Sequence, residues 1–209
     1  MTEMMDGPWT AKGFIRDYLA LDMPERLISY RNRWQLDDER LPDPTKYLSH
    51  EPPAVDEWPM IYTVQTNTAR MERADYSIAA DPIYRVTYNM RTYIWARDVG
   101  LPEGPTSAEQ ATEIRDRITT VVRSALLDHP SMHRAENFYF PSLDLDVLLD
   151  ETTLREEYSD VTYAKGDRAM AGAYLTYEFS CYEMIARKRI AETATVHVAA
   201  VPLSWEDIV

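Results

Sequence analysis

The chain has 209 residues, 45% of them hydrophobic and 27% charged, a balance that supports a buried core and excludes a disordered chain. Its 35 acidic and 22 basic residues leave a formal net charge of −13, which argues against general attraction to nucleic-acid phosphates. The single cysteine, Cys181, rules out an intramolecular disulfide and favours a reducing compartment.

The sequence also predicts that the chain does not enter a membrane. Its N-terminus is acidic and polar, so we expect no secretory signal peptide. No apolar run approaches the ~20 residues that a membrane-spanning helix requires. The acidity itself has two explanations, which are solubility and a surface that must lie near DNA without adhering to it.

The N-terminal region predicts two helices followed by an extended arm. Thr10 is a candidate N-cap of a helix that runs to about Leu21. Residues 22–25 have the N-cap, early proline and early acid of a second helix, which we expect to continue to about Glu39. Residues 41–59 contain five of the 13 prolines and predict a connection that is neither helix nor central strand.

Alternation of apolar and polar side chains then predicts two strands. The first lies at residues 60–66, and the polar residues 67–82 after it are consistent with a hairpin arm. The second, at residues 83–97, is long and alternates most clearly. Its apolar face comprises Tyr84, Val86, Tyr88, Met90, Ile94 and Ala96, and its polar face comprises Arg85, Thr87, Asn89, Arg91 and Arg97.

An amphipathic helix is predicted at residues 107–128, after a turn rich in glycine and proline. Thr106 with Glu109, or Ser107 with Gln110, has the spacing of a capping box. The apolar stripe of this helix comprises Ala108, Ala111, Ile114, Ile118, Val121, Val122, Ala125 and Leu126. A helix with one such stripe is expected to cover one face of a sheet.

The remaining sequence predicts short elements and one more long strand. Residues 137–140 indicate a short strand or an aromatic loop, and residues 144–157 a short acidic helix. The long strand runs from 170 to about 187 after a short strand at 161–164, and a final strand is predicted at about 193–201. The apolar face of the long strand comprises Ala171, Ala173, Leu175, Tyr177, Phe179 and Cys181.

Helices and strands do not alternate strictly along the chain, which favours an α+β fold. We predict a mainly antiparallel twisted sheet with long strands, on which the helix at about 107–128 packs. Residues 1–209 form one structural domain in this prediction, with 1–56 as a helical and extended N-terminal region and 57–209 as the α+β core. Strands as long as the one at 83–97 exceed the usual length and commonly project toward other subunits.

No stretch predicts a catalytic, cofactor-binding or metal site. His129 and His133 have i, i+4 spacing, but Pro130 between them opposes the continuous helix that such a zinc site needs. His197 is expected on an exposed or edge-strand face. Cys181 shares the apolar face of its strand, so we interpret it as a small buried hydrophobe rather than a nucleophile.

An acidic cluster leaves open an alternative of a different class. Asp144, Asp146, Asp150 and Glu151 are close in sequence, and paired carboxylates can bind magnesium or act as acid and base. The alternative is a small metal-dependent hydrolase or nuclease that uses this cluster at 144–151. A solvated, acidic helix N-terminus explains the same residues more simply.

The polar face of the strand at 83–97 is a second candidate surface. Arg85, Arg91 and Arg97 lie on it, interleaved with Tyr93 and Trp95, a combination that can form a nucleic-acid surface. Because the chain as a whole is strongly acidic, we favour an intersubunit or salt-bridged face.

Four segments have, in this order, a form seen in a known class of protein. They are Trp58-Pro59-Met60-Ile61-Tyr62-Thr63-Val64, the strand at 84–97, the helix at 111–127 and the strand segment at 174–183. In the order of their elements and in the sequence of these four segments, residues 57–201 resemble the tail terminator, or tail completion, proteins of long-tailed bacteriophages, particularly those of actinobacterial hosts.

The resemblance implies a structural virion protein, assembled in the bacterial cytoplasm, and not an enzyme. It implies a homo-hexameric ring at the top of the tail tube, in the neck, that terminates tube polymerisation and joins the tail to the head. The implied partners are the tail tube protein and the head–tail connector or stopper protein, without cofactor or metal. Genomic DNA would pass through the lumen without specific binding.

Two further alternatives follow from the same reasoning. Another head–tail connector or stopper protein of the neck would share the structural class and differ in its ring partner. A soluble adaptor that stays monomeric would differ in having no ring at all.

Overall fold

The computed structural model describes residues 7–52, 57–74, 82–100, 106–128, 148–163 and 168–185. Two helices and six strands lie in these ranges. They are α1 (Pro8–Trp34), β1 (Lys46–Leu48), β2 (Met60–Arg73), β3 (Ile83–Arg97), α2 (Ser107–Asp128), β4 (Leu148–Tyr158), β5 (Thr162–Tyr163) and β6 (Ala169–Met184). The strands predicted at 137–140 and 193–201 lie outside the described residues.

All six strands belong to one sheet, in the order β1-β2-β3-β6-β4, with the short β5 paired to β6. β1 runs parallel to β2, and the other pairs are antiparallel. The predicted α+β class and the mainly antiparallel sheet are therefore confirmed.

The centre of the sheet is the pair β3–β6, whose register runs from Ile83 opposite Met184 to Arg97 opposite Met170. Its inner face is apolar on both strands, as the alternation predicts, and forms the core with the two helices. The buried residues of this inner face are Val86, Tyr88, Met90, Ile94, Ala96, Ala171, Ala173, Leu175, Tyr177, Phe179 and Cys181.

The start of α2 has the first of the two predicted capping boxes. The backbone N–H of Thr106 donates to Glu109 at 2.7 Å, and the Glu109 N–H donates back to Thr106 Oγ1 at 3.4 Å. These hydrogen bonds to the carboxylate lower the pKa of Glu109. Ser107 then donates to Asp98 at the end of β3 and accepts from the Ala169 N–H at the start of β6. The first turn of α2 is thus fixed to both central strands.

The buried side of α2 matches the predicted stripe except that Ala108 is only half-buried. Polar residues are also buried on this side, and each has a local partner. Thr119 Oγ1 donates to the Arg115 carbonyl at 2.8 Å, and Arg115 Nη1 donates to the Ser159 carbonyl at 3.0 Å. The helix therefore places polar side chains in its contact with the sheet without leaving these groups unpaired.

The prediction of two N-terminal helices is wrong, because α1 is continuous from Pro8 to Trp34 with Pro24 inside it. Asp22 is not an N-cap: its side chain is buried and forms an i, i+4 ion pair with Arg26. Proline removes one helical hydrogen bond. The fully buried Leu19, Met23 and Leu27 hold the helix against the core on both sides of that break, so tertiary packing outweighs the local start signal.

The two helices lie on the same face of the sheet and are joined by polar contacts. The Tyr18 hydroxyl donates to the Ala125 carbonyl at 2.8 Å within the core. Arg26, already paired with Asp22, also donates to Asp128 at the end of α2 at 2.7 Å. α2 covers the centre of the sheet, and α1 covers the side of β1 and β2.

The C-terminal end of α1 and the connection after it also differ from expectation. The helix ends at Trp34 rather than near Glu39. The next residue, Gln35, caps the helix in a left-handed conformation with φ of 55°. The described part of the proline-rich stretch lies along the sheet edge and contributes β1, which pairs Lys46 with Met60. A short edge strand of this kind tolerates flanking prolines.

The acidic helix predicted at 144–157 is wrong, because the described residues from 148 onward form β4. Apolar and polar residues do not alternate clearly in the sequence of β4, because one of its core-facing residues is Glu156. The Glu156 carboxylate accepts a hydrogen bond from Arg123 of α2 at 3.0 Å. Tyr158 likewise faces α2, where the Arg115 guanidinium lies 4.9 Å from its ring centre. β2 is also longer than predicted and continues to Arg73, into the stretch interpreted as a hairpin arm.

The packing of α2 predicts a sharp contrast between two substitutions. Ile118→Asp places an unpaired carboxylate at a position with 0% exposure, so we expect unfolded or insoluble protein. Glu113→Gln removes only an exposed ion pair with Arg117, so the melting temperature should change little. Thermal unfolding and soluble yield measure both effects. A folded Ile118→Asp protein would show that the helix is misplaced.

Candidate interaction surface on the open face of the sheet

The face of the sheet away from the helices, here called the open face, is the main candidate surface. Neither described helix packs on it. It contains the polar side of β3 that the sequence indicated, and in β6 it contains the residues opposite those positions. From β3 and β6 these residues are Arg85, Thr87, Asn89, Arg91, Tyr93, Trp95, Arg97, Met170, Gly172, Tyr174, Thr176, Glu178, Ser180 and Tyr182.

Three tyrosines form a row across the open face, here called the tyrosine row. Tyr62 of β2, Tyr93 of β3 and Tyr174 of β6 are at the same level because they pair across adjacent strands. The Tyr62 and Tyr93 rings stack with centres 4.7 Å apart, and those of Tyr93 and Tyr174 lie 5.3 Å apart at a tilt. Such cross-strand aromatic pairs stabilise a sheet in the absence of a covering layer.

Arg91 lies over the tyrosine row. Its guanidinium carbon is 4.4 Å from the Tyr174 ring centre, and Nη1 donates to the Tyr93 hydroxyl at 3.0 Å. The Tyr174 hydroxyl in turn donates to the carboxylate of Glu157 in β4, which raises the pKa of Tyr174. The row therefore links all four long strands of the sheet through side chains on one face.

A second group of aromatic and basic residues lies at the end of the sheet where β3 finishes. The Arg97 guanidinium carbon is 5.8 Å from the Trp58 ring centre. Trp95 packs against Gly172, whose backbone N–H donates to Ser159 Oγ at 3.1 Å. The Nε atoms of Arg91 and Arg97 are buried without a hydrogen-bond partner among the described residues. Partners for these donors must be sought outside the described part of the chain.

At the other end of the open face lies a groove of about 510 Å³ lined by charges of both signs. Its lining includes Arg70 of β2, Arg85 of β3, Glu178 of β6 and Asp150 and Glu151 of β4. The hydroxyls of Thr87 and Ser180, also in the lining, bond to each other at 2.9 Å across the floor. Acids and arginines are interspersed here, so the groove lacks the uniformly basic surface that is typical of phosphate binding.

The acids that motivated the hydrolase alternative lie on the rim of this groove or outside the described residues. Asp144 and Asp146 belong to the latter group. Asp150 accepts from the backbone N–H of Thr152 at 2.9 Å and from its hydroxyl at 2.6 Å, and these bonds lower the pKa of Asp150. Its carboxylate thus stabilises the irregular turn within β4, and Glu151 next to it is exposed.

The remaining candidates are the histidines and Cys181, of which the structure describes only His50 and Cys181. His50 is exposed, and His129, His133 and His197 lie outside the described residues. Within the described ranges, no group of three or more histidine, cysteine or acidic side chains is placed to hold a metal ion. No described helix is long and apolar enough to span a membrane. Cys181 is fully buried, as predicted.

Both edges of the sheet complete the candidate surface. β1 pairs only with residues 60–62 of β2, so within the described residues no strand pairs with the outer edge of 63–72. The β2 side chains of 66–72 are exposed on both faces, with Met71 at 50%. β4 is the opposite edge, and its outer side is likewise unpaired in the described chain.

The sequence indicated the arginine and aromatic face of β3 but missed its partners. Tyr62 and Tyr174 join Tyr93 only because their strands are neighbours in a defined register, and that pairing has no signal within any single strand. Trp58 reaches Arg97 across the end of the sheet for the same reason.

Comparison of the sequence with protein-family models finds no match. Comparison with curated proteins likewise finds no significant match.

The space around two glycines, Gly172 on the open face and Gly13 in α1, predicts opposite effects of their substitution by alanine. A Cβ on Gly172 would lie 2.9 Å from Ser159 Oγ and 3.1 Å from Trp95 Cζ3, so Gly172→Ala should destabilise the fold by about 1–3 kcal/mol. A Cβ on Gly13 in α1 meets no heavy atom within 4 Å, so Gly13→Ala should stabilise it by up to about 1 kcal/mol. Chemical denaturation measures both. Equal stability of Gly172→Ala and the wild type would contradict the packing described.

Burial of Cys181 predicts an inert thiol. Desolvation and the neighbouring Glu183 raise the pKa of Cys181 to about 12, so the reactive thiolate is scarce at pH 8. A thiol reagent should therefore modify the folded protein far more slowly than the denatured protein. Thr68→Cys, on the exposed part of β2, should add one fast-reacting thiol as a control. Rapid modification of native wild-type protein would restore the nucleophile interpretation.

Proposed function

We propose that this chain is a structural virion protein of a long-tailed bacteriophage. In the proposal, copies form a ring, of six subunits by the resemblance, at the top of the tail tube. The ring terminates tube polymerisation and joins the tail to the head connector or stopper protein. Assembly takes place in the bacterial cytoplasm, and the mature location is the neck of the particle.

The observation on which the proposal mainly depends is the arrangement of the sheet and the two helices. Both described helices cover one face, and within the described ranges the outer sides of residues 63–72 and of β4 have no neighbouring strand. Tyrosine, tryptophan and arginine, the residue types enriched at the centres of protein interfaces, are concentrated on the open face.

The charge of the chain supports a passive relation to DNA. A net charge of −13 repels phosphate, so a ring of such subunits offers a lumen through which DNA slides without being held. The arginines of the open face do not alter this balance, since acids such as Glu157 and Glu178 lie among them.

A structural role also agrees with what the polar side chains do. Asp150 caps a turn, Glu156 pairs with α2, and Ser107 joins the ends of two strands. Each of these groups stabilises the fold. We therefore propose a protein that is not an enzyme and uses no cofactor or metal.

The position and number of copies in a purified particle test the proposal. Particles of the phage that encodes this chain should contain it as a ring at the head–tail joint, visible by electron microscopy and countable by quantitative mass spectrometry. Deletion of the gene should give tails of uncontrolled length or tails that fail to join heads. Absence of the chain from particles, or turnover of a substrate by the free protein, would defeat the proposal.

The proposed lumen predicts weak binding to duplex DNA. Each phosphate contact needs a cation, and the chain has a large excess of acids. Purified protein should pass through a DNA column at ~150 mM salt, a typical physiological ionic strength. An Arg91→Glu variant should behave identically, because the arginine lies in an aromatic contact rather than in a phosphate site. Retention of the wild type, lost in the variant, would indicate a nucleic-acid surface on the open face.

A further inference from the structure

We infer that three buried hydroxyls lock the first half of β2 against β3 in a register that differs from the register of its last residues. The hydroxyls belong to Thr63 of β2, Thr92 of β3 and Tyr177 of β6, here called the hydroxyl cluster. The lock also places Tyr62 in the tyrosine row of the open face. It is a conformational device of the fold, and it stands apart from the proposed ring.

The pairing of β2 with β3 changes register along its length. At the far end, residues 70–73 of β2 pair in sequence with 84–87 of β3. Toward the start of β2, Thr66 and Ala69 have no residue opposite them on β3, and each of these two bulges shifts the ladder by one position. The first half of β2 is therefore displaced by two positions relative to its last residues.

A displacement of two positions changes the partners of a strand without turning any side chain to the other face. The structure pairs Thr63 with Thr92. Without the bulges, carrying the pair of Arg70 and Thr87 back by seven residues on both strands would place Thr63 opposite Ile94. Each residue of β2 would still point to the same side of the sheet. The alternation of apolar and polar residues therefore does not choose between the two registers.

The observed register brings the hydroxyl cluster together inside the core. Thr63 Oγ1 and Thr92 Oγ1 are 2.9 Å apart, and Thr92 Oγ1 is 2.8 Å from the Tyr177 hydroxyl. All three residues are at most 2% exposed. Burial raises the pKa of Tyr177, whereas hydrogen bonding to Thr92 and Thr63 opposes that rise. The three hydroxyls thus satisfy one another in a place that is closed to solvent.

The register without bulges would break up this cluster. The Thr63 hydroxyl would move two residues along β3, about 7 Å from Thr92. Gln65 would take its place opposite Thr92, so a longer amide side chain would enter a fully buried site. A buried hydroxyl that loses its partner destabilises a fold more than a satisfied pair stabilises it. This penalty opposes the regular ladder and offsets the ladder hydrogen bonds that the two bulges interrupt.

The same change of register would dismantle the tyrosine row. Tyr62 stacks on Tyr93 in the observed register, at the position next to the pair of Thr63 and Thr92. In the register without bulges, Tyr62 would lie opposite Trp95. The buried lock on one face of the sheet therefore determines which aromatic rings meet on the other face.

Replacing all three hydroxyls by apolar groups of similar shape tests the lock. The variant Thr63→Val/Thr92→Val/Tyr177→Phe leaves no unsatisfied hydroxyl in the cluster. Its unfolding equilibrium constant should therefore stay within about fivefold of the wild-type value. Its register should change all the same, because the two bulges are no longer offset. Nuclear Overhauser contacts between backbone protons should join residue 63 to residue 94, a contact that the wild type lacks.

Two single variants separate this role from simple stabilisation. Thr92→Val leaves the hydroxyls of Thr63 and Tyr177 buried without their partner, so the unfolding equilibrium constant should rise about 5- to 100-fold. The triple variant should recover most of that loss. Thr119→Val is the matched control, because Thr119 is also fully buried but donates within its own helix to the Arg115 carbonyl. This control should keep the contact between residues 63 and 92.

Deletion of Thr66 and Ala69 supplies a further variant. The deletions remove both bulges, so the pairing of residues 63 and 92 becomes part of one regular ladder. In this background the triple variant should keep the contact between 63 and 92, because the two registers no longer compete. If the triple variant alone does not fold, the deletions should restore its folding.

Two results would overturn the lock. The first is a folded triple variant in which residue 63 contacts only residue 92, because β1 and the helical layer then hold the register without the hydroxyls. The second is an unfolded triple variant that the deletions do not rescue. Neither result bears on the proposed function, which depends on the position of the chain in the particle.

Discussion

The uninterrupted pairing of β3 with β6 is the constraint on which the rest of the structure depends. Fifteen consecutive positions pair without a register shift, so the parity of every side chain on both strands is fixed together. A slip by one residue would move the apolar set, including Phe179 and Ile94, to the open face and place Arg91 in the core. The cost of such a slip makes the register specific.

The helical layer depends on the same pair. Ser107 bonds to both Asp98 and Ala169, so α2 begins where the end of β3 lies beside the start of β6. Once α2 lies along these strands, α1 can be held by the hydrogen bond from Tyr18 to Ala125 and by Arg26. Both described helices are needed to cover the apolar face of the sheet. Neither of them therefore covers the opposite face. Within the described residues, the helical layer therefore lies on one side of the sheet because that is where the core is closed.

The parts of the fold that sequence alone predicted are those with one buried side. α2 and β6 have a single apolar stripe or parity, so their period was evident and their bounds were predicted to within a few residues. β4 was missed because its inward residues Glu156 and Tyr158 satisfy polar contacts with α2. Local sequence around Pro24 resembles a helix start, and only the buried pair of Asp22 with Arg26 shows that the helix continues. Part of the candidate surface was predicted, because the arginines of β3 were identified from its alternation. The tyrosine row was not predicted, because it depends on which strands are neighbours in the sheet.

Unpaired sheet edges carry a risk of indiscriminate aggregation. Within the described residues, the outer edges of β2 and β4 have features that limit this risk. β2 has two register shifts in its outer half, and β4 contains the turn stabilised by Asp150 and Thr152. A net charge of −13 adds general repulsion between free copies. Long-range repulsion and irregular edges together disfavour random contacts between free copies. That combination suits the proposed ring subunit, which would have to remain dispersed until a partner surface gathers copies in the correct orientation.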